Sequence, residues 1–358
     1  MIHTYTARIN VCSDFYNQFL SHPSTKLYKE RGSIYKTAKN ALLQEIGITL
    51  YAHKYKISYD RITAAGSVEQ ISYINYVIDA RVNPSKVIYR ESAVDIYKPS
   101  DYSFFQDRFN QEIKSFNLPF LPDLEGWKAH RVDFTYNLQT PHVKEYIRLF
   151  HKSDLRGFTI KRDQHGHRSM KPGSLYINNS AVTLNFYDKE DEMQKAEGGT
   201  RHTPEEIQEA KDILRIEVQA GRDKLSGIKR KQEFTSKQIT EFMKDPEAAE
   251  RLVIDYATRV LGGATYRKKP AAITIINHSK KHQATKEQLI AVIEAVSKPY
   301  KRIDEVRQEH PDLEIDKTKK ILRDLDINLA TLDKNTKVRE LPSIPALLRE
   351  AIEEERNI

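Results

Sequence analysis

A single cysteine, Cys12, excludes a disulfide framework and a cysteine-built zinc site, and with no histidine partner beside it there is no case for a thiol nucleophile. It reads as a small buried or half-buried residue. Apolar runs are short: none approaches the roughly 18 residues of a membrane span, and no charged-then-apolar leader opens the chain. The expectation is a cytoplasmic protein with no membrane partner. Internal repeats and long low-complexity segments are also missing, which sets repeat architectures aside. What is there is length, 358 residues, enough for two or three domains and at least one sizeable core.

Lys and Arg outnumber Asp and Glu, 58 to 50, for a formal charge of +8. A basic balance favours polyanionic partners, because neutralised phosphates release counterions. The cations cluster at Lys229, Arg230 and Lys231, at Arg267, Lys268 and Lys269, at Lys280 and Lys281, and at Lys317, Lys319 and Lys320. Each cluster alone is an ordinary solvated face. Together they make the C-terminal third the region expected to contact DNA.

Residues 1 to about 125 mix helix and strand signals. Ile74, Tyr76, Ile78, Ala80 and Val82 alternate as in a half-buried strand ended by Asn83 and Pro84, and Phe104, Phe105, Phe109 and Ile113 have helical spacing. A Pro-rich break over residues 118–122 follows. From 126 to about 225 three segments alternate cleanly, and alternation sends successive side chains to opposite faces. Val132, Phe134, Tyr136 and Leu138 oppose Arg131, Asp133, Thr135 and Asn137. Val182, Leu184 and Phe186 oppose Thr183, Asn185, Tyr187 and Lys189, and Leu214, Ile216 and Val218 oppose Arg215, Glu217 and Gln219. Two helices lie between, one capped by Thr140 with Pro141 in its first turn, the other by Thr203 with Pro204, Glu205 and Glu206.

Strands that interleave with helices and keep one apolar face predict an α+β fold: an antiparallel sheet with helices on one face and an open polar face carrying the active site. The catalytic domain is placed at 1–225, built from halves 1–125 and 126–225. The rest, 226–358, reads as mainly helical. A helix through Leu289, Val292, Ile293 and Val296 after Thr285, a short second helix and a third from about Asp316 match a helix-turn-helix module, and a plain helical bundle explains the same spacing. In the DNA-reading version Lys317, Lys319, Lys320 and Arg323 of the third helix enter a major groove.

The polar rows carry the chemistry. Two carboxylates facing the same way from separate strands, Asp133 and Glu217, suit one hard divalent cation, magnesium or manganese, which prefers oxygen ligands and polarises a phosphate. Tyr187 is placed to attack that phosphorus, and a phenol with an unperturbed pKa of about 10 needs a cation or base to do so. Lys189 could favour the phenolate or hold the phosphate. Arg131 and Arg215, on the same rows, are candidate DNA contacts. Strand tyrosines and cross-strand ion pairs are also commonplace structural features.

Three stretches in fixed order separate these readings: Arg131-Val132-Asp133-Phe134, Gly173-Ser174-Leu175-Tyr176 leading to Phe186-Tyr187-Asp188-Lys189, and Leu214-Arg215-Ile216-Glu217-Val218. Together they resemble the core of rolling-circle replication initiators of the filamentous-phage gene II/X and small-plasmid types, distant relatives of the HUH endonucleases. Val82-Asn83-Pro84-Ser85-Lys86 also resembles a family segment, so the resemblance spans roughly residues 45 to 225. It implies Tyr187 as nucleophile, Asp133 and Glu217 as metal ligands and Lys189 as helper, with Tyr176 the other candidate nucleophile. It departs upstream: plasmid relatives place an acid two positions before the Asn-Pro segment, where Arg81 stands here, with Asp79 two residues earlier.

The implied activity is nicking and rejoining of one strand at an origin through a 5′-phosphotyrosine. Its partners would be single-stranded and duplex origin DNA and a host helicase and polymerase, with a second copy of the chain left open. A conjugative relaxase, or an origin-binding initiator or regulator that does not cut, fits the same residues. His165-Gly166-His167 lacks the bulky apolar residue between the histidines of the paired-histidine motif and reads as a turn. Strict parity places His130 opposite Asp133, in a structural role.

Overall fold

The computed structural model describes residues 1–29, 36–40, 43, 45–64, 67–89, 94–160, 173–195, 202–298 and 302–357. In chain order it begins β1 (Ile2–Val11), α1 (Ser13–Ser21), β2 (Thr25–Lys29), β3 (Lys36–Asn40), β4 (Ile48–Ile62), β5 (Val68–Val82), α2 (Pro84–Tyr89) and α3 (Tyr102–Ser115). Then come β6 (Lys128–Gln139), α4 (Val143–Lys152), β7 (Thr159–Ile160), β8 (Ser174–Asn178), β9 (Val182–Asp188), α5 (Lys189–Lys195), α6 (Pro204–Glu209) and β10 (Ile213–Gly221). The remainder is α7 (Arg222–Lys231), α8 (Ile239–Lys244), α9 (Pro246–Leu261), β11 (Tyr266–Arg267), α10 (Lys269–His278), α11 (Gln283–Val296), α12 (Ile303–Glu309), α13 (Ile315–Asp324), β12 (Glu340–Leu341) and α14 (Ile344–Asn357). The expected α+β architecture, an antiparallel sheet with helices and a mainly helical C-terminal region, is present.

Two compact units divide the chain, and they do not follow sequence order. Unit 1 is Met1–Phe134 with Gln219–Ala249; unit 2 is Thr135–Val218 with Glu250–Ile358. The division runs through β6 and β10.

In unit 1 the strands lie in the order β2-β3-β4-β5-β1-β6, antiparallel throughout. Alternation sorts them. Ile48, Leu50 and Ala52 of β4, Ile78, Ala80 and Val82 of β5, and Tyr5 and Ala7 of β1 are buried on one face. The helices cover that face: Tyr16 of α1 meets Tyr76 at 5.1 Å between rings, and Phe105 of α3 meets Tyr5 at 6.3 Å. Each such aromatic side chain removes some 150–250 Å² from water, which makes these contacts the main apolar anchors of the helices. The segment after β10 closes the unit through backbone bonds from Ala129 N to Lys237 O, 2.7 Å, and from Ile239 N to Trp127 O, 3.0 Å.

Unit 2 takes the end of β6 and sets it beside β10, β9, β8 and β7 in that order. Helix α4 packs on the apolar face, with Phe150 5.2 Å from Phe186 and Tyr146 6.1 Å from Tyr266. The Tyr146 hydroxyl donates to Pro342 O at 3.0 Å, so the C-terminal helical part shares this core. Among the described residues no helix is long and apolar enough to cross a membrane.

Local expectations fare unevenly. Thr203 does cap α6, in a capping box with Glu206. Thr140 instead accepts from the His142 amide at 3.3 Å and makes a turn, so α4 starts only at Val143. Strand β9 ends at Asp188, and Lys189 opens α5, so strand parity does not reach it. Helix α11 is capped at His282, not Thr285. Cys12 is exposed, because it sits at the N-cap of α1 and not under it. The segment with His165 and His167 lies outside the described residues.

Candidate active site

In unit 2 the register pairs Ser174 with Tyr187 and Tyr176 with Asn185, which puts all four on one face while Leu175, Ile177, Leu184 and Phe186 are buried on the other. On β10 the same alternation sends Leu214, Ile216 and Val218 to the core and Arg215 and Glu217 to the polar row. These rows meet in one contact: the Tyr187 hydroxyl donates to Glu217 Oε1 at 2.7 Å. Burial, then the Glu217 charge, pushes the phenol well above its ordinary pKa, against the pull of Arg215. The proton therefore rests on tyrosine, with a carboxylate oxygen already in position to accept it.

Around that pair stand two cations. Arg215 is fully buried and its Nε donates to Asn137 Oδ1 at 2.7 Å. Lys189, in the first turn of α5, reaches Glu192 Oε2 at 2.7 Å; burial and then Arg215 lower its pKa, while Glu192 and Glu217 raise it. Tyr176 shares the face and is half-buried. The polar row of unit 2 is thus closed around Tyr187, which is only 7% exposed.

Unit 1 holds Asp133, 1% exposed, with Arg131 bidentate on it, Nε to Oδ1 at 2.7 Å and Nη2 to Oδ2 at 2.5 Å, and the Thr4 hydroxyl on Oδ2. On the same sheet face Arg8 grips Asp79 through bonds of 2.6 and 2.8 Å, and His53 Nε2 lies 3.7 Å from Asp79. Asp79, four residues before Asn83, is thus engaged by Arg8, while Arg81 is exposed. Asn83 and Pro84 act locally, since Asn83 Oδ1 accepts from the Lys86 amide at 3.1 Å and starts α2.

The β1–β6 register shifts between Thr6 and Ala7, whose partners jump from Arg131 to Ala129, so His130 escapes strict alternation. Burial and then Arg8 lower its pKa, and Asp79 raises it, which places His130 beside the Arg8–Asp79–His53 group and corrects the parity assignment. Neither β1 nor β4 was singled out from sequence. The signal was available in Thr4, Thr6 and Arg8 alternating with Tyr5, Ala7 and Ile9, and in Thr49, Tyr51 and His53 alternating with Ile48, Leu50 and Ala52.

As donors, Asp133 and Glu217 are the hard oxygens a magnesium or manganese ion takes, and such ions often complete their shell with substrate phosphate. Among the described residues no group of three or more His, Cys, Asp or Glu is arranged to hold a metal. The fit is therefore one of donor chemistry, each carboxylate being engaged by its own neighbour.

The expected three helices of the C-terminal module, α11, α12 and α13, are there. Lys317 pairs with Glu314 at 2.9 Å and Lys319 with buried Asp154 at 3.1 Å, whereas Lys320 and Arg323 are exposed. With Lys319 they border a cavity of about 300 Å³ floored by Val260, Leu261 and Ile327.

An antiparallel sheet backed by helices, with a phenol hydrogen-bonded to a carboxylate on its polar row, defines an α+β protein. Residues 13–240, more than half of the chain, match the family model for the N-terminal part of the phage replication-associated protein, the gene II product. The chain belongs to this family of phage replication initiators. Neither curated proteins nor solved structures give a significant match.

Proposed function

We propose that the chain initiates rolling-circle replication by nicking one strand of origin DNA with Tyr187, the same family chemistry that its likeness to plasmid initiators and HUH endonucleases suggests. The supporting observation is the 2.7 Å bond from the Tyr187 hydroxyl to Glu217. Glu217 takes the phenol proton as the oxygen attacks phosphorus; the tyrosine O–P bond forms, the P–O3′ bond breaks, the leaving 3′ oxygen takes a proton from water, and the products are a 5′-phosphotyrosine and a free 3′ hydroxyl. Reversal rejoins the strand. Arg215 and Lys189 offset negative charge near the phenol, and Tyr176 is the second candidate for strand transfer. Asp133 and Glu217 each offer hard carboxylate oxygens of the kind magnesium or manganese takes, and such a cation would spread the charge of the scissile phosphate. Polymerase and helicase would act on the exposed 3′ end.

A second reading has its own support: Tyr187, Arg215 and Glu217 are all buried, which suits an initiator that binds DNA without cutting. One assay separates the two. Supercoiled origin plasmid should become open circles, with a protein–DNA adduct on denaturing gels, for wild type with magnesium. Both products should vanish for Tyr187→Phe and with a chelator. Adduct formation by Tyr187→Phe but not by Tyr176→Phe would move the nucleophile to Tyr176, and origin binding without nicking by wild type would leave the binding-only reading.

A further inference from the structure

Among the described residues, β4 and β5 continue beyond the sheet of unit 1 as a two-stranded ribbon. They pair over their whole length, from Ile48 opposite Val82 to Ile62 opposite Val68. The neighbouring ladders stop early: β1 reaches β5 only to Tyr76, and β3 meets β4 at Tyr51 and Ala52. Among the described residues this ribbon has no further sheet neighbour and no covering helix, and it carries large apolar side chains in the open. Tyr59 and Tyr73 are each 49% exposed, Ile74 47% and Val68 68%.

Register sorts these residues by face. Tyr55 lies opposite Asn75, Ile57 opposite Tyr73 and Tyr59 opposite Ile71, so three tyrosines and two isoleucines share one side. The Tyr59 and Tyr73 rings meet edge to face at 6.5 Å, and the Tyr55 hydroxyl accepts from Asn75 Nδ2 at 2.8 Å. The same face runs inward through His53, Tyr51 and Asp79 to Arg8, and then to exposed Arg81 and to Arg131. Aromatic rings lie outward and cations inward.

Charge selects the occupant. On the ribbon Lys54, Lys56 and Arg61 stand against Asp60 and Glu69, with Arg61 directly opposite Glu69. That near balance offers little to the dense phosphates of a duplex, whereas unpaired bases need π-faces more than charge. We propose that the tyrosine face of the β4–β5 ribbon is a stacking platform for single-stranded DNA, whose backbone follows it inward to Arg81. The inference rests on the reading of the chain as a DNA-handling initiator and adds the surface that holds the displaced strand.

The test uses the full chain and a fluorescent oligothymidylate of about 16 nucleotides. Tyr59→Ala/Tyr73→Ala should bind it about tenfold to a hundredfold more weakly than wild type, with duplex affinity unchanged and Tyr59→Phe/Tyr73→Phe binding normally. Single-strand affinity equal to wild type, or an equal loss on duplex, overturns the proposal. Thermal melting reports folding, and Tyr59→Ala alone serves if the double variant melts early. Plasmid nicking by wild type is read in parallel: loss of nicking with tyrosine-dependent binding intact removes only the catalytic reading, and nicking with tyrosine-independent binding removes only this one.

Discussion

Tyr187 keeps its proton because burial and a neighbouring anion both oppose the phenolate. On the proposed mechanism the same anion, Glu217, would remove the proton during attack, so one contact would both hold the nucleophile at rest and prepare it. Glu217→Gln preserves the size and an acceptor oxygen but not the basicity. It should lower nicking by about 10²–10⁴-fold, the usual range for a general base, while leaving origin binding intact. The residual rate should climb with pH toward and beyond 10, since solvent must then ionise a phenol whose pKa is raised, whereas the wild-type rate should depend less on pH. A flat profile for the variant in quench-flow nicking would show that Glu217 is not the base. Alternation made Tyr187, Arg215 and Glu217 legible as members of polar rows. It could not show that Tyr187 and Glu217 touch, which depends on strand order, nor place His130, whose side a bulge decided through its partner strand.

Helix α13 shows how an element can be read from sequence while the partners of its side chains cannot. Its periodicity and position were legible from Asp316 onward, but a basic residue looks the same in sequence whether it faces DNA or a buried acid 165 positions away. Burial pushes the Asp154 carboxyl up, yet Lys319, Arg156 and Arg307 outweigh burial and hold it well below the usual carboxylate range. A depressed acid stabilises the fold above its unfolded pKa of about 4, and that contribution is lost as pH falls further. Asp154→Ala should therefore cost about 3 kcal/mol at neutral pH, because three cations lose their common partner, and should flatten the acid limb of stability below pH about 4. In contrast, Lys320→Ala and Arg323→Ala should leave melting unchanged and lower the salt slope of duplex binding by about one per lost phosphate contact. A salt slope insensitive to both would take α13 out of the DNA interface. Lys189 was named, but its element was misread for a related reason: Tyr-x-Lys continues a strand pattern by spacing, but the run Glu190, Asp191 and Glu192 favours a helix start, where acids offset the exposed amide dipoles.

At the scale of the whole molecule, composition and pattern found a sheet part and a helical part and drew the line where the pattern changes, near 225. Compactness follows different rules. Residues 219–249 complete unit 1 through Ala129 to Lys237, Ile239 to Trp127 and the Tyr97 hydroxyl to Met243 O. Within unit 2 the strands and α4 share their core with the C-terminal helices: Tyr146 reaches Tyr266 and Pro342, and Lys152 pairs with Asp333. None of these long-range partners leaves a local trace in sequence, so periodicity alone cannot report them. A fragment 1–225 would lose the α7–α8 closure of unit 1 and bare Tyr146, a fully buried residue that packs on Tyr266 and carries about 1.5–3 kcal/mol of transfer free energy. It should therefore show no cooperative thermal transition, bind a hydrophobic dye and fail to nick even a short single-stranded oligonucleotide, while the full chain melts cooperatively. Calorimetry of the two proteins decides it: a sharp transition and oligonucleotide cleavage by 1–225 would make the sheet region an autonomous catalytic domain and the shared core of unit 2 dispensable.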